Sequence, residues 1–151
     1  MLRDEINTAL KQAMKARDER RVSTLRLVNA ALKNADIEAQ GRGKGALADE
    51  EILGLLQKLI KQRQEAVELY DKAGRTELAA RERDEIEIIN AYLPQQMSEA
   101  EAKAAIAEAI KATGATGMKD MGKVMAALKQ NHSGKMDFGK ASGWVKQLLA
   151  G

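Results

Sequence analysis

The spacing of apolar residues constrains this chain most strongly, because they recur every three or four positions along most of its length. No stretch of useful length alternates with a period of two, as a half-buried β-strand would. The residue mixture agrees, since Ala, Leu, Glu, Lys, Arg, Gln and Met are strong helix formers and proline occurs only once. The sequence therefore predicts an all-α fold.

The single proline divides the helical pattern into two parts. Pro94 disfavours helical geometry at Leu93, so the chain is expected to break there. Four apolar stripes precede this point and three follow it. The sequence predicts an N-terminal four-helix lobe over residues 1–93, joined to a C-terminal three-helix lobe over residues 94–151.

Local signals place several helix ends. The glycine-rich run at 41–45 predicts a flexible loop, because glycine is unfavourable in a helix, and Asp49 is expected to cap the helix that follows. Ser98 and Glu101 have the spacing of a capping box. Asp137 is expected to cap the last helix.

The chain offers little material for catalysis. Cysteine is absent, which excludes disulfides and thiolate chemistry, and His132 has no second His or Cys with which to share a metal ion. Ser133 lies beside His132 without an acid at a recognisable spacing. We therefore expect no catalytic residues, no metal and no cofactor, and we expect the protein to act by binding.

A cluster of carboxylates on the fourth predicted helix suggests a cation site. The neighbouring Arg81 and Arg83 favour an ordinary charged helix surface instead. The cluster comprises Glu82, Asp84, Glu85 and Glu87.

Charge and hydropathy set expectations for partners and location. The net charge is only +3, but residues 1–44 and 98–151 are basic whereas residues 45–97 are acidic. No apolar run is long enough to cross a bilayer and the first residues are polar, so we expect a cytoplasmic protein without a membrane partner.

Several ordered blocks of the sequence are recognisable. Those that begin in the first lobe are 25–35, 59–63, 70–75, 85–88 and 92–97. Those in the second lobe are 120–125, 134–137 and 145–149. Together they resemble the YqeY-like family over nearly the whole chain, and beyond Pro94 they also resemble the tail domain of the B subunit of the glutamine-dependent aspartyl/glutamyl-tRNA amidotransferase.

The resemblance implies a helical bundle associated with tRNA-dependent amidation, in which the related tail helps to hold tRNA. The family label of carbon–nitrogen ligase activity with glutamine as amide donor would apply only by analogy. The expected function is that of a tRNA-binding accessory protein. Two alternatives remain: an adaptor that docks on a tRNA-handling enzyme, such as an amidotransferase or aminoacyl-tRNA synthetase, and a ligase in its own right.

The basic end of the second lobe fits this expectation, since lysines meet backbone phosphates as point charges. Gly122 is consistent either with close approach of a sugar or phosphate or with close helix packing. The candidate nucleic-acid-binding residues are Lys119, Gly122, Lys123, Lys129, Lys135, Lys140 and Lys146.

Overall fold

The computed structural model describes residues 1–150, and its regular structure is helical throughout that range. It confirms the predicted all-α fold with seven α-helices, and a short 3-10 helix lies at Met118–Asp120. The α-helices are α1 (Leu2–Ala16), α2 (Glu19–Gly41), α3 (Asp49–Lys72), α4 (Thr76–Asn90), α5 (Glu99–Thr113), α6 (Met121–His132) and α7 (Phe138–Ala150).

The chain divides into two compact units, Met1–Leu93 and Pro94–Gly151. The first holds α1 to α4 and the second holds α5 to α7. Each unit has a hydrophobic core of its own.

The core of the N-terminal unit comes from one apolar stripe on each of its helices. In this unit α4 packs against both α3 and α2, and α1 packs against α2. Burial of these stripes removes apolar surface from water, which is the main force holding the helices together. Fully buried side chains of this core include Ile6, Leu25, Val28, Leu32, Ile52, Leu56 and Ile89.

The helix ends of this unit follow from local chemistry. Arg17 adopts a left-handed conformation at φ 57°, which ends α1, and the Asp18 carboxylate accepts a hydrogen bond from the Arg21 amide to start α2. The prediction that Asp49 caps α3 was wrong by one residue, because the cap is Ala48. Asp49 instead accepts a 3.4 Å hydrogen bond from the Leu2 amide.

Hydrogen bonds to Asp36 hold the end of the glycine-rich loop against the first two helices. Its carboxylate accepts two hydrogen bonds from the Arg3 guanidinium, at 2.7 and 2.9 Å, and a third from the Leu47 amide at 3.0 Å. These donors lower the pKa of Asp36, with the hydrogen bond from Arg3 as the largest cause. One charged group therefore links α1, α2 and the end of the loop that leads into α3.

The C-terminal unit is built around Ile106, Val124 and Leu128, which are fully buried. Ser98 and Glu101 form the predicted capping box at the start of α5. Asp137 accepts hydrogen bonds from the Gly139 and Lys140 amides at the start of α7, which confirms its predicted role.

Trp144 lies at the edge of this core. It is half-buried, and Lys103 Nζ lies 5.4 Å from the centre of its ring.

The Asp36 contacts predict how the glycine-rich loop responds to mutation. Replacing Asp36 with alanine removes the acceptor for Arg3 and Leu47, so trypsin should cut after Arg42 and Lys44 severalfold faster. The control is Glu38→Ala, which removes an exposed carboxylate from the same helix and should leave the rate unchanged. Equal cleavage of both variants would show that Asp36 does not hold the loop.

Candidate functional site

The six predicted lysines are exposed, but they do not form a single stripe on either helix. Lys123 and Lys129 are six positions apart on α6, and Lys140 and Lys146 have the same spacing on α7. Six residues correspond to about 600° of helical rotation, which leaves the members of each pair about 120° apart. Each pair therefore diverges around its helix.

The other members of the predicted set lie near the start of α6 and in the loop before α7. Lys119 is in the 3-10 helix and Lys135 is exposed in the loop. A Cβ atom added to Gly122 would meet no other atom within 4 Å, so close helix packing does not explain this glycine. The assignment of these residues to a binding site stays a prediction.

Asp120 lies among these lysines. Its carboxylate accepts a 3.0 Å hydrogen bond from the Thr116 amide, which is the main reason that its pKa is lowered. Lys123 and Lys119 lower this pKa further through their positive charges. The basic surface therefore contains a fixed negative charge.

A pocket in the N-terminal unit is lined by both apolar and ionic side chains. It lies where α2, α3 and α4 meet, has a volume of about 420 Å³ and is open to solvent. No residue of this unit was assigned to a site from the sequence. The pocket is lined by Leu27, Gln62, Arg63, Ala66, Tyr70, Leu78, Arg81, Glu82 and Glu85.

The pocket owes its shape to helical spacing. Four lining residues share one side of α3, because they are adjacent or three to four positions apart. They are Gln62, Arg63, Ala66 and Tyr70. The lining residues of α4 recur with the same period. Leu27 completes the pocket from α2.

A buried ion pair joins two helices at this pocket. The Arg63 Nε atom lies 3.0 Å from Glu85 Oε2, and the two side chains are only 13% and 8% exposed. Arg63 also donates a 3.0 Å hydrogen bond to the Leu59 carbonyl oxygen. On the other side, Arg81 Nε lies 3.7 Å from Glu85 Oε1, so Glu85 receives positive charge from two arginines.

Glu82 is a second carboxylate of the pocket and lies one helical turn from Glu85. Burial is the largest cause of its raised pKa, and repulsion from Glu85 adds to the effect. Arg63 and Arg81 partly offset both causes. Among residues 1–150, no Lys or Arg nitrogen lies within ion-pair distance of its carboxylate.

The structure corrects the interpretation of this acidic cluster as an ordinary surface. Asp84 does lie on the surface, where it pairs with Arg20, but Glu85 is 6% exposed. A sequence signal for this burial existed, because Glu85 lies four residues before the buried Ile89 and shares its side of α4. The neighbouring Arg81 and Arg83 gave this segment the composition of a charged helix surface, so the sequence did not predict the burial of Glu85.

The ionisable residues that line the pocket are Arg63, Tyr70, Arg81, Glu82 and Glu85, and the lining contains no Ser, Thr, Cys or His. No group of three or more potential metal ligands occurs in the part of the chain that the structure describes. None of the helices within residues 1–150 has the length and apolar character to span a membrane.

The fold and this pocket define a class: an all-helical protein of two compact units, with a partly apolar, ionic pocket in the first. A family model described as Yqey-like protein matches residues 3–149, and the chain belongs to that family. This confirms the resemblance to the YqeY-like family seen in the sequence.

Curated relatives in yeasts share part of this sequence. The protein from Lachancea thermotolerans is 42% identical over 86 residues, which cover 57% of this chain and 44% of the relative. That from Vanderwaltozyma polyspora is 38% identical over 85 residues, covering 56% and 44%. A Saccharomyces cerevisiae relative is 34% identical over 87 residues, covering 57% and 45%. All three are named "Altered inheritance of mitochondria protein 41, mitochondrial", and the match spans less than half of their length.

These names overturn two predictions. The prediction of a tRNA-binding accessory protein related to an amidotransferase is wrong, and so is the alternative of an adaptor on a tRNA-handling enzyme. The relatives carry a mitochondrial-inheritance name that refers to neither tRNA nor amidation. The prediction of a cytoplasmic protein is wrong because the relatives are named mitochondrial. No observation tests the partners expected from the sequence.

The burial of the Arg63–Glu85 pair predicts an asymmetric response to mutation. Arg63→Met leaves the Glu85 charge buried with only the more distant Arg81, and should destabilise the N-terminal unit by about 3 kcal/mol. The double variant Arg63→Met, Glu85→Leu should recover most of this loss, because the buried carboxylate is removed together with its partner. Urea unfolding followed by circular dichroism measures the difference, while fluorescence of Trp144 reports the other unit.

An exposed pair provides the control for this comparison. Arg83 and Asp71 lie 2.6 Å apart but are 55% and 45% exposed. Arg83→Met should therefore cost less than about 1 kcal/mol. Equal losses for Arg63→Met and Arg83→Met would contradict the structural role of the buried pair.

The raised pKa of Glu82 predicts the sign of a pH effect. A carboxyl group whose folded-state pKa lies above its ordinary value of 4.5 favours folding when protonated, and this contribution is lost as the pH rises through the folded-state pKa. Glu82→Gln should therefore lose none of the stability measured at neutral pH. As the pH falls through the folded-state pKa toward 4.5, the wild type should gain stability relative to this variant, and the gain should be complete below pH 4.5, as measured by urea unfolding across the pH range. A relative loss for the wild type on acidification would contradict this prediction.

Proposed function

We propose that this protein is a binding module that holds a segment of another protein in the pocket between α2, α3 and α4. The observation that carries this proposal is the combination of exposed leucines with a buried ion pair in one pocket. Leu27 is 51% exposed and Leu78 is 38% exposed, whereas Arg63 and Glu85 are buried beside them. The exposed leucines supply apolar surface for binding, and the fixed charges supply orientation.

The openness of the pocket favours a protein segment over a small molecule. Sites for small ligands typically bury about 70–90% of the ligand surface. A pocket this open does not enclose a ligand to that extent, but one or two side chains of a larger partner fit its volume. The partner backbone then lies on the surrounding surface.

The apolar surface also extends beyond the pocket. Leu69 is 68% exposed and follows Gln62 by seven residues on α3, which places it on the same side of the helix. Leucines exposed at neighbouring positions on two or more helices are typical of a contact surface for a partner. This proposal uses a different surface from the lysines of the C-terminal unit and involves no nucleic acid.

A peptide selection tests the proposal directly. Peptides are selected from a random phage-displayed library against the full chain, and their binding is then measured by fluorescence anisotropy. Leu27→Ser should weaken binding by about tenfold, because burial of a leucine side chain contributes about 1.5 kcal/mol or more.

Ile37 provides a matched control on the same helix. It is 59% exposed on α2 but does not line the pocket, so Ile37→Ser should leave peptide affinity unchanged. The proposal fails if selection yields no peptide whose affinity depends on Leu27, or if both variants weaken binding equally.

A further inference from the structure

The charges of the pocket restrict which side chain it accepts, if the pocket binds a protein segment as proposed above. Glu85 is already paired, with Arg63 at 3.0 Å and Arg81 at 3.7 Å. Arg63 is also held by the Leu59 carbonyl oxygen. Arg63 is therefore engaged within the protein, whereas Arg81 is 57% exposed and lies beside Glu85 at the longer distance.

Glu82 is the charged group of the pocket without an ion-pair partner among residues 1–150. It is half-buried, so its carboxylate has lost part of its hydration. A ligand cation placed beside Glu82 would compensate for this loss, whereas an anion in the same place would be repelled by Glu82 and by Glu85. Charge complementarity therefore favours a basic side chain.

The remaining walls of the pocket suit the stem of such a side chain. Leu27, Ala66 and Leu78 present apolar surface, and lysine and arginine stems pack against apolar surface while their charged ends reach polar groups. The ring of Tyr70 adds a face that attracts cations.

We propose that the bound segment inserts a lysine or arginine side chain into this pocket, where its stem contacts Leu27 and Leu78 and its charge pairs with Glu82. Apolar residues next to this basic residue would contact the exposed leucines around the pocket. The recognised ligand is thus a short amphipathic segment with a basic anchor.

The test begins with a selected peptide whose binding depends on Leu27. Each position of this peptide is replaced in turn by lysine, arginine, norleucine or glutamate, and affinities are measured for the wild type, Glu82→Gln, Glu82→Lys and Glu87→Gln. Glu87 is the matched control, because it is exposed on the same helix and does not line the pocket. Circular dichroism checks that each variant is folded.

We expect one position at which lysine or arginine binds about tenfold more tightly than norleucine, and glutamate binds most weakly. Glu82→Gln should abolish this preference, Glu87→Gln should retain it, and Glu82→Lys should shift the preference toward glutamate. The preference should also weaken at high salt, as expected for a partly exposed ion pair.

The outcomes separate the two proposals. A Leu27-dependent peptide that shows no basic preference, or whose preference survives Glu82→Gln, overturns the basic anchor and leaves the binding pocket intact. The absence of any Leu27-dependent peptide overturns both. A glutamate preference in the wild type would also overturn the anchor and would point to Arg81 as the contact.

Discussion

The N-terminal unit depends on the packing of α4 against α3 and α2, and this packing buries the carboxylate of Glu85. The apolar stripe of α4 ends at the fully buried Ile89, and Glu85 lies one turn before it on the same side. A buried carboxylate is costly unless it is paired. Arg63, itself fixed by the Leu59 carbonyl oxygen, supplies that partner from α3, so apolar packing and ion pairing constrain the same two helices.

This arrangement leaves the pocket with an uneven distribution of charge. The Arg63–Glu85 ion pair is satisfied. Glu82, by contrast, has lost hydration, and among residues 1–150 no Lys or Arg nitrogen lies within ion-pair distance of its carboxylate. Exposed leucines surround these groups. A half-buried carboxylate beside exposed leucines leaves favourable interactions for a ligand to complete, which is the physical basis of the proposed binding site.

Membership of the Yqey-like family explains why the sequence blocks are recognisable, but kinship alone led to a wrong function. The amidotransferase analogy directed attention to lysines in the second unit, where similar charge spacing is common on exposed helix surfaces. The conspicuous blocks at 59–63 and 85–88 lie in the other unit and contain both members of the buried pair. A physical reading of these blocks therefore leads to a different surface from the one that analogy suggested.

The sequence by itself determined the helical fold, because the period of apolar residues and the capping signals at Ser98 and Asp137 act within a few residues of one another. It did not place Asp49 inside α3, where its carboxylate accepts a hydrogen bond from the distant Leu2 amide. Only the tertiary structure decided which carboxylates of the acidic cluster are buried. Arg63 and Glu85 are 22 residues apart, and their pairing exists only when α3 and α4 pack face to face.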